Sequence, residues 1–183
     1  MILDGFGSKQ LNELKSDLLN TRTTLVTRGW APGYLINYFE DDAATKGKVC
    51  MTGAAGCAVE GETFVEWVMS RMTKMANGYR WRKRSHRLLR FLAEVGAEKY
   101  HTGYSTGSIS YVLNTIYNIN DSKLGTQTEA LAWVDDALSR VDARLEELKT
   151  PAPTPTPVKV ESATPMIERL FEQAEQEVEI EKA

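Results

Sequence analysis

Between Arg28 and Ala58 the chain concentrates five of its 13 glycines and both of its cysteines, and no other stretch restricts the fold as tightly. Gly29, Gly33, Gly47, Gly53 and Gly56 imply a backbone that turns repeatedly or approaches a neighbour closely. Trp30, Tyr34, Ile36, Tyr38, Phe39 and Val49 supply material for a packed wall around those turns. Pro32-Gly33 breaks the backbone, Tyr34 to Phe39 is rich in aromatic and branched residues, and Gly47 sits in a polar connection before Lys48 to Met51. These signals predict a short β-hairpin or extended insert near residues 34–51. The small residues Thr52 to Gly56 then let a short buried helix, carrying the cysteines, begin hard against a neighbour. A functional site is expected here first.

The remainder reads as helix or linker. Ser8 is placed to cap a first helix over residues 9–28, in which Leu11, Leu14, Leu18 and Leu25 recur at helical spacing until Gly29 ends the run. From Glu62, the stripe Phe64, Val68, Met72 and Met75 predicts a second helix that stops at Asn77-Gly78. Over residues 80–98 the pattern is basic and amphipathic: Arg80, Lys83, Arg84, Arg87 and Arg90 fall on one side, Trp81, Leu88, Leu89 and Leu92 on the other. Gly103 and Gly107 mark a loop, and Ile109, Val112, Leu113, Ile116 and Tyr117 predict a short buried helix after it. Thr126 to Glu129 reads as a capping box that opens a last helix running to about Lys149. Leu131, Val134, Leu138, Val141, Leu145 and Leu148 form a seam of alternating three and four spacing. That seam is short for a coiled coil, so it reads as bundle packing, with self-association through residues 131–148 as the alternative.

At Thr150 the composition changes, because five of the six prolines lie in residues 150–165. This stretch is a disordered linker, able to reach roughly 45 Å in polyproline form. Beyond it, in residues 166–183, Ile167, Leu170, Phe171, Ala174 and Val178 form one face of an acidic amphipathic helical tail, the pattern of a helix that enters a partner's groove, with docking on its own body or disorder as the alternatives. Residues 150–183 hold three basic and seven acidic side chains, so the formal charge of -3 conceals a nearly neutral body of residues 1–149. No apolar run is long enough to span a membrane and the first residues lack a secretory pattern, so the expectation is a soluble protein of the cytoplasm, or of the host cytoplasm if phage-encoded.

These residues bear on four chemistries. A cysteine hydrolase would need a nucleophile, a base and an orienting amide, which Cys50, His101 and either Asn118 or Asn120 supply in that order. Against it, no local cysteine-protease signature surrounds Cys50, and the two cysteines, seven apart, miss the CxxC metal spacing and read as reduced, buried thiols. A nucleic-acid surface would use the six positive charges within Arg80–Arg90, chiefly Arg80, Lys83, Arg84 and Arg87, with Tyr79 and Trp81 for stacking. The bland counterpart is a solvated helix face balanced by acidic neighbours. Asp41-Asp42 and Asn120-Asp121 lack the spacing of a cation loop, and Asn120-Asp121 reads as a turn before the last helix. Gly53 to Gly56 lacks the lysine of a phosphate loop. No metal and no cofactor are expected.

Arg28-Gly29-Trp30 with Gly33, Cys50 followed by Gly53-Ala54, and Asn120-Asp121 leading into a Thr126-x-x-Glu129-Ala130-Leu131 helix together resemble a domain of unknown function found mainly in actinobacteria and their phages. Ile119 stands where that family usually has tryptophan. The resemblance covers three islands. It implies a fold and a phage or actinobacterial source, singles out Arg28, Gly29, Trp30, Cys50, Gly53, Asn120 and Asp121, and implies no established activity.

The combined reading is a mainly α protein: a bundle of about five helices with the insert near residues 34–51, then the linker and the C-terminal helix. Its expected role is non-enzymatic binding of a protein partner through Ile167, Leu170, Phe171 and Ala174. The alternatives are a hydrolase centred on Cys50 and a nucleic-acid-binding protein using residues 80–90.

Overall fold

The leucine spacing of the first helix is realised in α1, Ser8–Arg28. Leu11, Leu14, Leu18 and Leu25 are each at most 1% exposed, and each contributes roughly 2 kcal/mol relative to an exposed side chain. The helix starts one residue earlier than expected. Gly7 is the cap, and Gln10 Oε1 reaches back to accept its amide at 3.2 Å, which leaves Ser8 as the first helical residue. A short 3-10 helix, Ile2–Gly5, precedes it.

Residues 2–37, 46–71, 76, 78–104 and 107–150 are described by the structure, a computed structural model. After α1 come α2 (Met51–Glu60), α3 (Glu62–Arg71), α4 (Lys83–Lys99), α5 (Ile109–Ser122) and α6 (Gln127–Lys149). The protein is mainly helical, with six α-helices among the described residues rather than about five. The short cysteine-bearing helix and the helix from Glu62 are separate elements, as expected, divided at Gly61, whose φ is 64°. The second half of the α3 stripe, Met72 and Met75, lies outside the described residues, as do the linker and the C-terminal helix.

No strand forms among the described residues, and the hairpin expectation is corrected to two isolated bridges. Val49 pairs in parallel with Trp30 and antiparallel with Ile36. Its carbonyl accepts from the Ala31 amide at 3.1 Å and its own amide donates to Gly29 O at 3.0 Å, while Asn37 N donates to Lys48 O at 2.9 Å. At one end of this pairing Cys50 caps α2 immediately, and at the other the Gly47 amide donates to Asn37 O at 2.6 Å; Tyr38, Phe39 and Asp41-Asp42, which follow, lie outside the described residues.

α1 packs on α2 and α6, and α4 packs on α5, α2 and α6. The core is fullest along α4, where Leu88, Leu89, Phe91, Leu92, Ala93 and Val95 show no exposure. Trp133 of α6 is equally buried, and its indole N–H donates to Leu92 O at 3.0 Å, so the largest side chain in the core leaves no unmet donor. Val134 and Val141 of the α6 seam are buried against this core, Leu131, Leu138 and Leu145 pack on it half-buried, and Leu148 is the exposed member. Most of the seam is therefore used inside the bundle. The expected capping box is present: Thr126 Oγ1 accepts from Glu129 N at 3.2 Å and Glu129 Oε2 accepts from Thr126 N at 2.9 Å.

Candidate functional site

The three sequence islands meet. Asn120 lies in the last turn of α5, fully buried, and its Oδ1 accepts two donors: the Trp30 indole N–H at 2.9 Å and the Met51 amide, at the first turn of α2, at 3.1 Å. Its Nδ2 donates to Asp121 Oδ1 at 2.8 Å, and the same Asp121 oxygen accepts the Gly33 amide at 2.9 Å. Two N–H groups on one side of the carboxamide and a carboxylate on the other leave a single sensible orientation for Asn120. Asn120 and Asp121 are thus helical residues that reach 69 to 90 positions back along the chain, and not a local turn before α6.

The backbone around this clasp is shaped to fit it. Gly33 has φ of 77°, a left-handed conformation at the tip of the Pro32-Gly33 turn, which presents its amide to Asp121. A Cβ on Gly53 would stand 1.6 Å from Leu35 O, so α2 can lie against the insert only with glycine there. Cys50 caps that helix, its Sγ accepting from the Gly53 amide at 3.5 Å. Burial pushes its thiol up to about 12, and the negative charge of Asp121 adds to the rise while the Gly53 amide opposes it. Above the cysteine, Tyr117 Oη accepts the Ala76 amide at 2.7 Å, and its pKa is raised, chiefly by burial, with Cys50 and Asp121 adding.

The catalytic order suggested by the sequence is not assembled around Cys50. His101 is exposed in the turn after α4, Asn118 is exposed on α5, and Asn120 is held by Trp30 and Met51. Among the described residues Cys50 has no imidazole partner. Arg28 is exposed at the end of α1, where its charge opposes the burial-driven rise of the Cys57 thiol. Of the island residues, the structure therefore brings together Trp30, Gly33, Cys50, Gly53, Asn120 and Asp121.

The basic stretch is arranged differently from a uniform patch. Arg80 and Trp81 precede α4 instead of lying on it, because the helix begins at Lys83. Arg84 makes three bonds of 2.5 to 3.0 Å to Asp17 of α1, a carboxylate only 2% exposed. Arg87 faces Glu13 at 3.4 Å, and Arg82 Nε lies 3.1 Å from Glu60 Oε2. Glu60, at the end of α2, also accepts from Arg82 N at 3.0 Å and from the Ser85 hydroxyl, so it caps α4 across the molecule. Trp67, Tyr79 and Trp81 pack on buried Phe64 in a partly covered cluster, with Arg71 over the Trp67 ring at 5.6 Å.

Two participants escaped the sequence reading. Glu60 gave no signal, being one of several acidic residues beside a glycine. The Met51 amide gave none either, because a backbone donor carries no residue-type signature. Gly33 was visible as a turn residue, though not as a donor.

No curated protein and no solved structure matches the chain. A family of unknown function (DUF6197) matches residues 11–140, a span that runs from the start of α1 through both halves of the Asn120 clasp and well into α6. The chain belongs to that family.

Proposed function

We propose that this is a small non-enzymatic binding protein, an accessory protein of an actinobacterium or its phage, which acts by contact with a protein partner. One observation carries the reading: Asn120, Asp121, Trp30 and Cys50, the residues best suited to chemistry, are committed to a buried hydrogen-bond clasp around a neutral thiol. A hydrolase would need a thiolate and an adjacent imidazole, and neither accompanies Cys50. The nucleic-acid alternative has less support, because the carboxylates Asp17, Glu13 and Glu60 offset three of the six cations within Arg80–Arg90.

The contact surface in this proposal is the apolar stripe Ile167, Leu170, Phe171 and Ala174, which lies outside the described residues. The full chain and a version ending at Lys149 are compared by affinity purification after nuclease treatment, together with a Leu170→Ala/Phe171→Ala variant. Partners present with the full chain and lost from both altered versions are expected. Equal recovery from all three would overturn the tail's role.

A further inference from the structure

The 3-10 helix at Ile2–Gly5 and the start of α4 flank an open groove of about 330 Å³, lined by Ile2, Phe6, Lys83, His86, Arg87 and Arg90. The four α4 residues stand at i, i+3, i+4 and i+7 and share one helical stripe, while Leu88, Leu89 and Leu92 face the core. One wall of the groove is cationic and the other is apolar.

The acidic groups nearest this wall already have positions of their own. Both oxygens of Glu94 accept the Ile2 amide, each at 3.1 Å, which fastens the 3-10 helix to α4. Glu13 of α1 reaches Arg87 only at 3.4 Å, whereas charge-assisted bonds are normally about 2.7–2.9 Å. Arg87 therefore keeps most of its donor capacity, and its guanidinium is fixed 5.4 Å above the centre of the Phe6 ring. Lys83 is exposed and makes no ion pair among the described residues. His86 Nε2 is buried without a hydrogen-bond partner among them, and burial, then the charge of Arg90, holds the imidazole below its ordinary pKa.

We propose that this groove binds a phosphate monoester carrying a small apolar group, with Lys83, Arg87 and Arg90 around the phosphate and Ile2 and Phe6 against the apolar part. A dianion with three terminal oxygens can meet several cations at once, whereas a carboxylate offers two oxygens and one charge. The volume lies at the small end of ligand pockets, which run from about 300 Å³ upward. This site is independent of the proposed partner contact.

The full chain is titrated with phenyl phosphate, inorganic phosphate and phenylacetate, and its backbone amides and the His86 imidazole are followed by NMR. Saturable shifts confined to Ile2–Gly7 and Lys83–Arg90 are expected, with phenyl phosphate binding more tightly than either other probe. On saturation the His86 pKa should rise, because a bound dianion favours the imidazolium. Arg87→Ala and Lys83→Ala should each weaken phenyl phosphate binding about tenfold, the loss of one charge-assisted contact, while Lys123→Ala leaves it unchanged. Lys83 is exposed, so its variant remains informative even where Arg87→Ala fails to fold.

Flotation with phosphatidate vesicles, compared with phosphatidylglycerol vesicles, separates a lipid monoester from a free one. Retention on phosphatidate alone assigns the groove to a headgroup; saturable binding of the soluble probe without retention assigns it to a free ester. Unsaturable shifts spread over all exposed basic residues, or unchanged affinity in both groove variants, would overturn the proposal.

Discussion

Asn120 sets the chemistry of its neighbours because its two polar ends are used in opposite senses, the oxygen accepting from Trp30 and Met51 and the nitrogen donating to Asp121. Cys50 sits beside this arrangement as a thiol whose pKa is pushed up to about 12 by burial. Iodoacetamide should therefore leave Cys50 unmodified in the native protein at neutral pH and label it only as the chain unfolds, a difference read by mass spectrometry of peptides from native and urea-treated samples. Rapid native labelling of Cys50 would show that the thiol is activated. At Gly53 the constraint is steric: a methyl group placed 1.6 Å from Leu35 O must displace backbone, not a movable side-chain end. Gly53→Ala should cost about 3 kcal/mol in urea denaturation, the upper range for overpacking, and a change under about 0.5 kcal/mol would mean that α2 can shift freely.

Helices were legible in the sequence where apolar residues recur at their own period, as in Leu11, Leu14, Leu18 and Leu25 of α1 or the seam of α6, because burial of one face imposes that period. The capping box at Thr126 was legible for a related reason, since both partners lie within four residues of each other. The start of α4 was not, since the carboxylate that caps it is Glu60, 22 residues upstream of Arg82, and nothing local announces it. The hairpin expectation rests on β-propensity near Tyr34, which records only how well a residue suits a pleated surface; among the described residues of that segment only isolated bridges form. Glu129 gives the element-scale prediction. Hydrogen bonds from the Gly125 amide, the Thr126 hydroxyl and the Thr126 amide hold its carboxyl below the ordinary value of 4.5. With the folded pKa below the unfolded one, the carboxylate stabilises the fold above about pH 4.5, and that contribution is lost as pH falls through the lower folded value. Glu129→Gln should consequently lower the unfolding midpoint at neutral pH and match the parent in strong acid. An equal deficit at both pH values would assign the effect to packing instead of charge.

Across the whole body, one constellation of hydrogen bonds ties the segment after α1, the first turn of α2 and the last turn of α5 into a single unit. Every side chain of this clasp was visible in the sequence as part of an island, yet neither their meeting nor the Met51 amide that joins them was. Local periodicity carries no information about a contact between Trp30 and Asn120, 90 residues apart. The family match over residues 11–140 contains every side chain of the clasp, and ends before the linker and the acidic tail, to which the proposed partner contact belongs. A double-mutant cycle between Trp30→Phe and Asn120→Ala reads whether these island residues serve the fold. Trp30→Phe removes the indole donor while keeping an aromatic ring, and Asn120→Ala removes its acceptor together with the Met51 and Asp121 contacts. Urea denaturation of the four proteins should show both single variants destabilised, Asn120→Ala by about 3 kcal/mol, with a coupling of about 1 kcal/mol between the two sites. Strictly additive effects, or an Asn120→Ala protein as stable as the parent, would contradict the account and return these residues to consideration as an active site.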